Sequence, residues 1–352
     1  MNNYCKNKSS TVFVQKTAKN TKNSDLKKAI EKVFVASTNN LSWLKKGDKV
    51  LLKPALNSPD PYPSTTHPLA IEVITDILQK RGAQVFVGDQ SGVEHVVHNK
   101  SGIVRGSSRD CFIKSGIGKN KKYNFIAFEE GDWDRDFIHI ENAKTTAWPD
   151  GFYVTRWIDK VDHIINLPRL STHLQAGVTL GFKNFVGILR EDSRYVFHLN
   201  GPFNAFVPGF FREARFSHKD DGTNQFFEKI AQISLAVKDK LRLTLFVGTQ
   251  AQVTVGPDRK TVTFLPAKVV TPDTGYIFAS DDQVSAEAFA IKTLTDIYLA
   301  HAGNAKYLQK FLLFINGQAK ELNRSNIYEN PFIVCGEKFG LGNKKYQIKN
   351  IK

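Results

Sequence analysis

The sequence predicts an α/β fold, mostly parallel sheet flanked by helices. Three observations predict it. Short apolar runs such as Lys49–Pro54 (KVLLKP) and Val161–Leu167 (VDHIINL) stop at or just before proline, as buried strands do. Segments with helical spacing of apolar residues lie between those runs. The resulting strand–loop–helix–strand alternation is the pattern of a parallel sheet, whose functional loops belong at the carboxyl ends of its strands.

Each element follows in turn. The first ~20 residues are rich in Lys, Asn, Ser and Thr, a composition that frays at a terminus. Ser24-Asp25 precedes a short helix over Leu26–Ala36. After the strand Lys49–Pro54, Asn57–Pro68 is a turn-rich loop with four prolines. Thr66-His67-Pro68 opens a helix over Leu69–Arg81, with Pro near its first turn. Gly82 caps it, and Ala83–Gly88 (AQVFVG) is the next strand. Strands are expected at Tyr123–Phe128, Phe137–Glu141 and Val161–Leu167. An amphipathic helix over Phe226–Lys240 leads to the strand Leu241–Gly248. Gly275–Ala279 is a strand that passes through Ser280-Asp281-Asp282 into a helix over Val284–Ala300. Either aspartate caps that helix. A further helix spans about Ala305–Phe314.

A chain of 352 residues suggests about two domains or one large α/β domain. The expected division is a basic, partly flexible segment 1–22, an α/β domain 23–200 carrying the site, and a second α/β portion 201–352 with a basic tail. Apolar residues make up 41% and charged residues 24%, which excludes a disordered chain or a coiled coil. No apolar run reaches the ~20 residues that span a bilayer, and Met1–Asn20 lacks a secretory h-region. The three cysteines, Cys5, Cys111 and Cys335, are too scattered for a disulfide scaffold, a zinc finger or a self-contained iron–sulfur module. The expected location is the cytoplasm, with no membrane partner.

The net charge is +15. Residues 1–54 hold 12 Lys/Arg against 3 Asp/Glu, and 301–352 hold 9 against 3, so these ends carry the whole excess. The body is neutral. A nucleic-acid role through the basic ends is therefore a secondary reading, and a solvated Lys/Asn-rich surface the primary one.

The stretch Leu167–Arg190 (LPRLSTHLQAGVTLGFKNFVGILR) follows a strand and combines His173, Lys183 and Asn184 with Gly177, Gly181 and Gly187. Read as a helix over Leu174–Ile188, it spends about 1 kcal/mol on each glycine, to be offset by tight packing or a ligand cradle. Phe182 and Phe185 flank Lys183, so desolvation lowers its pKa and suits it to hold an anion or act as an amine nucleophile. The proposed lining is Lys53, His67, Asp89, His173, Lys183, Asn184 and His198. His67 instead serves the helix start if it bonds to backbone, and Asp89 instead caps a turn. Arg190 and Arg194 either bind a carboxylate or phosphate bidentately or pair with surface acids. His95 and His98 have metal-competent spacing on a helix but no third ligand nearby, so they read as surface histidines. No Walker loop, strand-borne GxGxxG or GxSxG elbow occurs.

Three blocks, HPLAIEVITDILQKRGAQVFVGDQSG, DHIINLPRLSTHLQAGVTLGFKNFVGILR and GYIFASDDQVSAEAFAIKTL, together resemble the domain-of-unknown-function 362 family over about residues 48–300. KVLLKPALNSP is similar to that family's first strand and loop, with Ala55 where asparagine is typical. GLG at 340–342 resembles its C-terminal end. Many members carry a ferredoxin-like cysteine insert and an iron–sulfur label. This chain lacks those cysteines, so the label does not transfer. A more local resemblance is to the nickel-pincer lactate racemase family. His173, Ala176-Gly177 and Lys183 reproduce its His, Ala-Gly and Lys spacing, and His198 follows Lys183 by fifteen residues, one short. That resemblance implies a shared site location, with His173 as catalytic base, Lys183 against the cofactor and His198 as metal ligand. The family's other catalytic histidine has no counterpart, since the matching loop reads Gly88-Asp89-Gln90-Ser91-Gly92. Neither nickel nor any other cofactor is therefore assigned.

The expected function is an enzyme acting on a small anionic metabolite, a carboxylate or phosphate, with His173 as general acid/base and Lys183 as anion or cofactor contact. A non-catalytic binding module for an anionic ligand or partner is the alternative.

Overall fold

The computed structural model describes residues 10–119, 123–198, 207–217, 225–256, 258, 267–316 and 319–352. Eight strands form the main sheet: β1 (Ser10–Ala18), β2 (Lys49–Pro54), β3 (Gln84–Asp89), β4 (Asn124–Ala127), β5 (His163–Leu167), β6 (Leu241–Gly248), β7 (Thr274–Ser280) and β8 (Tyr346–Asn350). Their spatial order is β8-β1-β7-β6-β5-β2-β3-β4. Only β7 opposes the rest, pairing antiparallel with β1 and β6. The other neighbours pair parallel. The fold is therefore α/β with a mostly parallel sheet.

The strands alternate side chains between two cores, as the pleat requires. Leu51, Ile164, Phe246 and Phe278 point into one. Val50, Leu52, Ile165, Leu245 and Ile277 point into the other. Helices α1 (Asn23–Ser37) and α2 (Pro68–Lys80) cover the second face through Ile30, Phe34, Ile71 and Ile74. Two later helices, α4 (Phe226–Ile233) and α5 (Gln283–His301), cover the first; between α2 and α4 lies α3 (Glu191–His198), and α6 (Ala305–Asn316) follows α5.

From β2 the chain moves outward through β3 and β4, then returns to place β5 and β6 on β2's other side. The order reverses between β2 and β5, where a parallel sheet opens a crevice at its carboxyl ends. Register places Lys53 beside Asn166 and Pro54 beside Leu167 at that point.

Three local readings differ from expectation. The segment expected to fray contains β1, whose Val12 and Val14 are buried and whose partners, β7 and β8, lie far along the chain. Residues 174–188 are not one helix. Ser171–His173 and Gly177–Thr179 form an antiparallel hairpin, followed by a helical turn Gly181–Asn184 and a 3₁₀ turn Phe185–Ile188. Gly177 turns the hairpin at φ +75°, and β-branched Thr172, Val178 and Thr179 favour strand. The helix expected through Lys240 ends at Ile233. The sheet also draws strands from both sides of the boundary expected at 200/201.

Asp282 is the cap of α5. Its carboxylate accepts the Ser285 N–H at 2.8 Å, the Ser10 hydroxyl at 2.6 Å and the Asn343 N–H at 2.9 Å. One side chain thus ties α5 to β1 and to the C-terminal segment. Asp282→Ala is expected to cost about 2 kcal/mol in denaturant melts, the upper range for a cap. A loss under about 0.5 kcal/mol, the range of ordinary surface substitutions, would contradict this role.

Candidate functional site

A cleft of about 50 Å³ opens beyond the ends of β2, β3 and β5. The loop after β2 contributes Ala55, Leu56 and Asn57, and the end of β3 contributes Asp89 and Gln90. The segment after β5 contributes Arg169, His173, Thr179, Lys183, Asn184, Val186 and Gly187, and α3 contributes Arg194. Of the residues singled out in the sequence, Asp89, His173, Lys183, Asn184 and Arg194 are brought together here.

The floor is a buried ion pair. Lys53 Nζ lies 2.7 Å from Asp89 Oδ1 and donates to the Pro54 carbonyl at 2.8 Å. The remaining capacity of Asp89 is taken by the N–H groups of Leu56 and Gln90, each at 2.8 Å. Burial draws the Lys53 ammonium down and the Asp89 carboxyl up, and their mutual contact opposes both shifts. Both groups are spent on joining the loops after β2 and β3. Gly187 crosses directly above them. A Cβ there would fall 2.0 Å from Asp89 Oδ1.

Lys183 sits on a turn fixed from two directions. Asn184 Nδ2 donates to the Lys53 carbonyl (3.1 Å) and to Asn166 Oδ1 (2.7 Å), while Asn166 Nδ2 donates to the Gly181 carbonyl (3.1 Å). From behind, Glu287 of α5 accepts the N–H groups of Gly181 (2.7 Å) and Phe182 (3.3 Å). Burial pushes the Glu287 carboxyl up to about 8. Sequence reasoning missed Glu287, since nothing local marks a carboxylate that acts 106 residues away.

The cleft is rich in buried cations. Burial, then the positive charge of Arg194, brings the Lys183 amine down to about 7, with Arg169 pushing the same way and Glu94 opposing. Arg169 is 1% exposed, and burial lowers it to about 10. Its guanidinium donates to the Ser64 carbonyl. Arg194 donates to the Ser91 carbonyl at 2.7 Å and to Glu191 at 3.3 Å. Glu191, fully buried, also accepts from Gln90 and Tyr195, and burial pushes it up to about 7. Buried polar atoms of cleft residues without a hydrogen-bond partner among the described residues include Arg194 Nε, Thr179 Oγ1 and Gln90 Oε1. Leaving such atoms unpaired costs about 1–3 kcal/mol each, which water or a ligand carrying both acceptor oxygens and a hydroxyl donor removes.

The two histidines are held in opposite tautomers. His173 Nδ1 accepts the N–H groups of Gln175 (3.0 Å) and Ala176 (3.2 Å), which puts the ring proton on Nε2. His198 Nδ1 donates to the Arg194 carbonyl at 2.6 Å, which leaves Nε2 basic. Burial, then the charge of Lys183, holds both rings neutral, well below the usual imidazole range.

Other expected site residues are used differently. His67 caps α2, its Nδ1 accepting the Leu69 N–H at 3.2 Å and its ring 4.5 Å from Tyr62. It does not line the cleft, and burial lowers it to about 4. Arg190 pairs bidentately with Asp192 and stacks 3.4 Å over Tyr153. His95 and His98 lie on no helix. His95 bonds Asp258 at 2.7 Å, and His98 is buried in a strand against Trp133 and Phe137 because apolar neighbours Val96 and Val97 pull that segment inward. Among the described residues no three His, Cys, Asp or Glu side chains stand together to hold a metal ion. Cys111 and Cys335 are buried in different cores, and Cys5 lies outside the described residues.

The model of a family described as "Domain of unknown function (DUF362)" matches residues 50–292. A thylakoid-associated protein of Synechocystis sp. is 25% identical over 173 residues, 45% of this chain and 44% of the relative, so the chain spans less than half the length of that curated relative. No solved structure matches. Among the described residues no helix is long and apolar enough to cross a membrane.

Proposed function

This chain belongs to the family described as Domain of unknown function (DUF362), and from that footing we propose that it is an enzyme moving a proton on a small anionic metabolite, a carboxylate or phosphate, bound at the ends of β2, β3 and β5. The observation that carries this reading is Lys183. It is a buried amine drawn to about 7 in a cleft it shares with two guanidinium groups, Arg169 and Arg194. The arginines take the anionic group. At neutral pH Lys183 is divided between its charged and neutral forms, the condition that suits a general base.

His173 takes a different part from the general acid/base expected of it. Two backbone N–H groups occupy Nδ1, so the ring cannot accept a proton there without breaking them. A neutral imidazole presenting Nε2–H donates a hydrogen bond to an oxygen on which charge develops. The proton leaves the bound molecule for Lys183 Nζ, and His173 stabilises the anion left behind. We place this reaction in the cytoplasm, where the scattered cysteines remain thiols.

Titration calorimetry across small hydroxy acids, phosphates and nucleotides, with turnover assays on the compounds that bind, tests the reading. His173→Gln is expected to abolish turnover while affinity stays within about tenfold, since the bond it removes strengthens in the transition state. Comparable affinity losses for His173→Gln and Lys183→Met, with no turnover in the parent, would make the cleft a binding module. If nothing on the panel binds, the anionic site is wrong.

A further inference from the structure

Helix α6 packs inward on one side and is apolar on the opposite, outer side. Its inner side holds Gln309 and Leu313, both buried, and Gln309 Oε1 accepts the Val255 N–H at 2.7 Å. Its outer side carries Tyr307, Phe311, Phe314 and Ile315, which are 64%, 58%, 82% and 58% exposed. Spacings of four, seven and eight residues put these four on one stripe. A surface helix ordinarily turns polar residues outward, and a contiguous exposed aromatic patch marks an interaction surface.

We propose that this stripe is a peripheral docking surface for an anionic lipid bilayer. The charge around it selects that partner. α6 contains Lys306 and Lys310 and no acidic residue. Both lysines lie along one flank of the stripe; Lys306 sits 5.1 Å from the Tyr307 ring, and Lys310 is 3.7 Å from Glu321. The segment 301–352 has 9 Lys/Arg against 3 Asp/Glu. Aromatic side chains beside lysines suit the headgroup boundary, where rings bury at the acyl edge and ammonium groups meet anionic headgroups. The sequence reading expected no membrane partner; this proposal departs from that expectation, with a surface that lies on the membrane and does not enter its core.

The test is co-sedimentation of the full chain with vesicles of phosphatidylcholine alone and of phosphatidylcholine with phosphatidylglycerol, at low and high salt. Binding is expected only to the anionic vesicles and should weaken with salt. Phe311→Ser/Phe314→Ser should reduce it by about tenfold or more, from lost apolar burial. Lys306→Glu/Lys310→Glu should reduce it by at least about fivefold per lysine. Melting temperatures should hold, because all four side chains are exposed. No binding to anionic vesicles at low salt would overturn the proposal, as would undiminished binding by Phe311→Ser/Phe314→Ser. A dimer in sedimentation velocity that this double variant dissolves would assign the stripe to a second copy.

Discussion

Lys183→Met is expected to weaken anion binding by about tenfold or more and, in the same molecule, to raise the stability of the fold. The two effects share a cause. Burial lowers Lys183 from 10.5 to about 7, so holding the charged amine in the cleft costs the folded state several kcal/mol at neutral pH. The sign follows from proton linkage. The unfolded lysine holds its proton up to 10.5, whereas the folded one releases it near 7. The penalty is therefore full below pH 7, fades between 7 and 10.5, and vanishes above. Methionine fills similar volume without charge and removes both the penalty and that slope. Binding falls because a desolvated partner for the anion is gone, a loss of about 1.5–3 kcal/mol. Lys183→Arg separates the roles. It retains a cation but cannot lose its proton near neutrality, so binding persists and turnover does not. Thermal melts from pH 6 to 10 with parallel titrations check both halves. A Lys183→Met protein that binds anions normally, or melts lower than the parent at pH 7, would contradict this account.

Lys53→Met should be the most damaging single change in the site. It leaves Asp89 buried without its cation, and breaking such a pair costs about 3–5 kcal/mol. The loss should be greatest at neutral pH. Without Lys53 the folded carboxyl rises further above its unfolded value, so stability returns as acid protonates it. Lys53→Met/Asp89→Asn should recover most of the loss, because an amide oxygen still accepts from Leu56 or Gln90. Chemical denaturation of the three variants at pH 5 and 7 is the check. A double variant as unstable as Lys53→Met alone would show that the pair does more than satisfy itself.

The parallel centre of the fold was legible because β2, β3 and β5 are continuous apolar runs with hard stops. The same stops marked where the site lies. β1 was not legible. The Lys-, Asn-, Ser- and Thr-rich stretch around it looks like a frayed end, and the partners that bury Val12 and Val14 lie more than 250 residues away. Residues 171–188 misled for a different reason. Apolar spacing there suits a helix, but Gly177 at positive φ and pairing with Ala251–Gln252 make a hairpin. Within the site, His173, Lys183 and Asp89 stood out by type and by position after strands. Arg169 was overlooked although it follows the same strand end at Pro168, and that position was its signal. Gln90, Thr179 and Glu287 carry no such mark, since their importance comes from partners that only folding supplies. Arg190 and His67 look like ligand residues in sequence, and neighbours claim them in the fold.

The most direct test of the central claim is the pH dependence of Lys183 itself. Competitive acylation with a small amine reagent, read residue by residue by mass spectrometry, gives the protonation midpoint of each lysine in the native protein. The account predicts a midpoint near 7 for Lys183, and a rise in that midpoint when a bound anion stabilises the ammonium. A midpoint near the ordinary lysine value of about 10.4, or one that no carboxylate or phosphate moves, would contradict it.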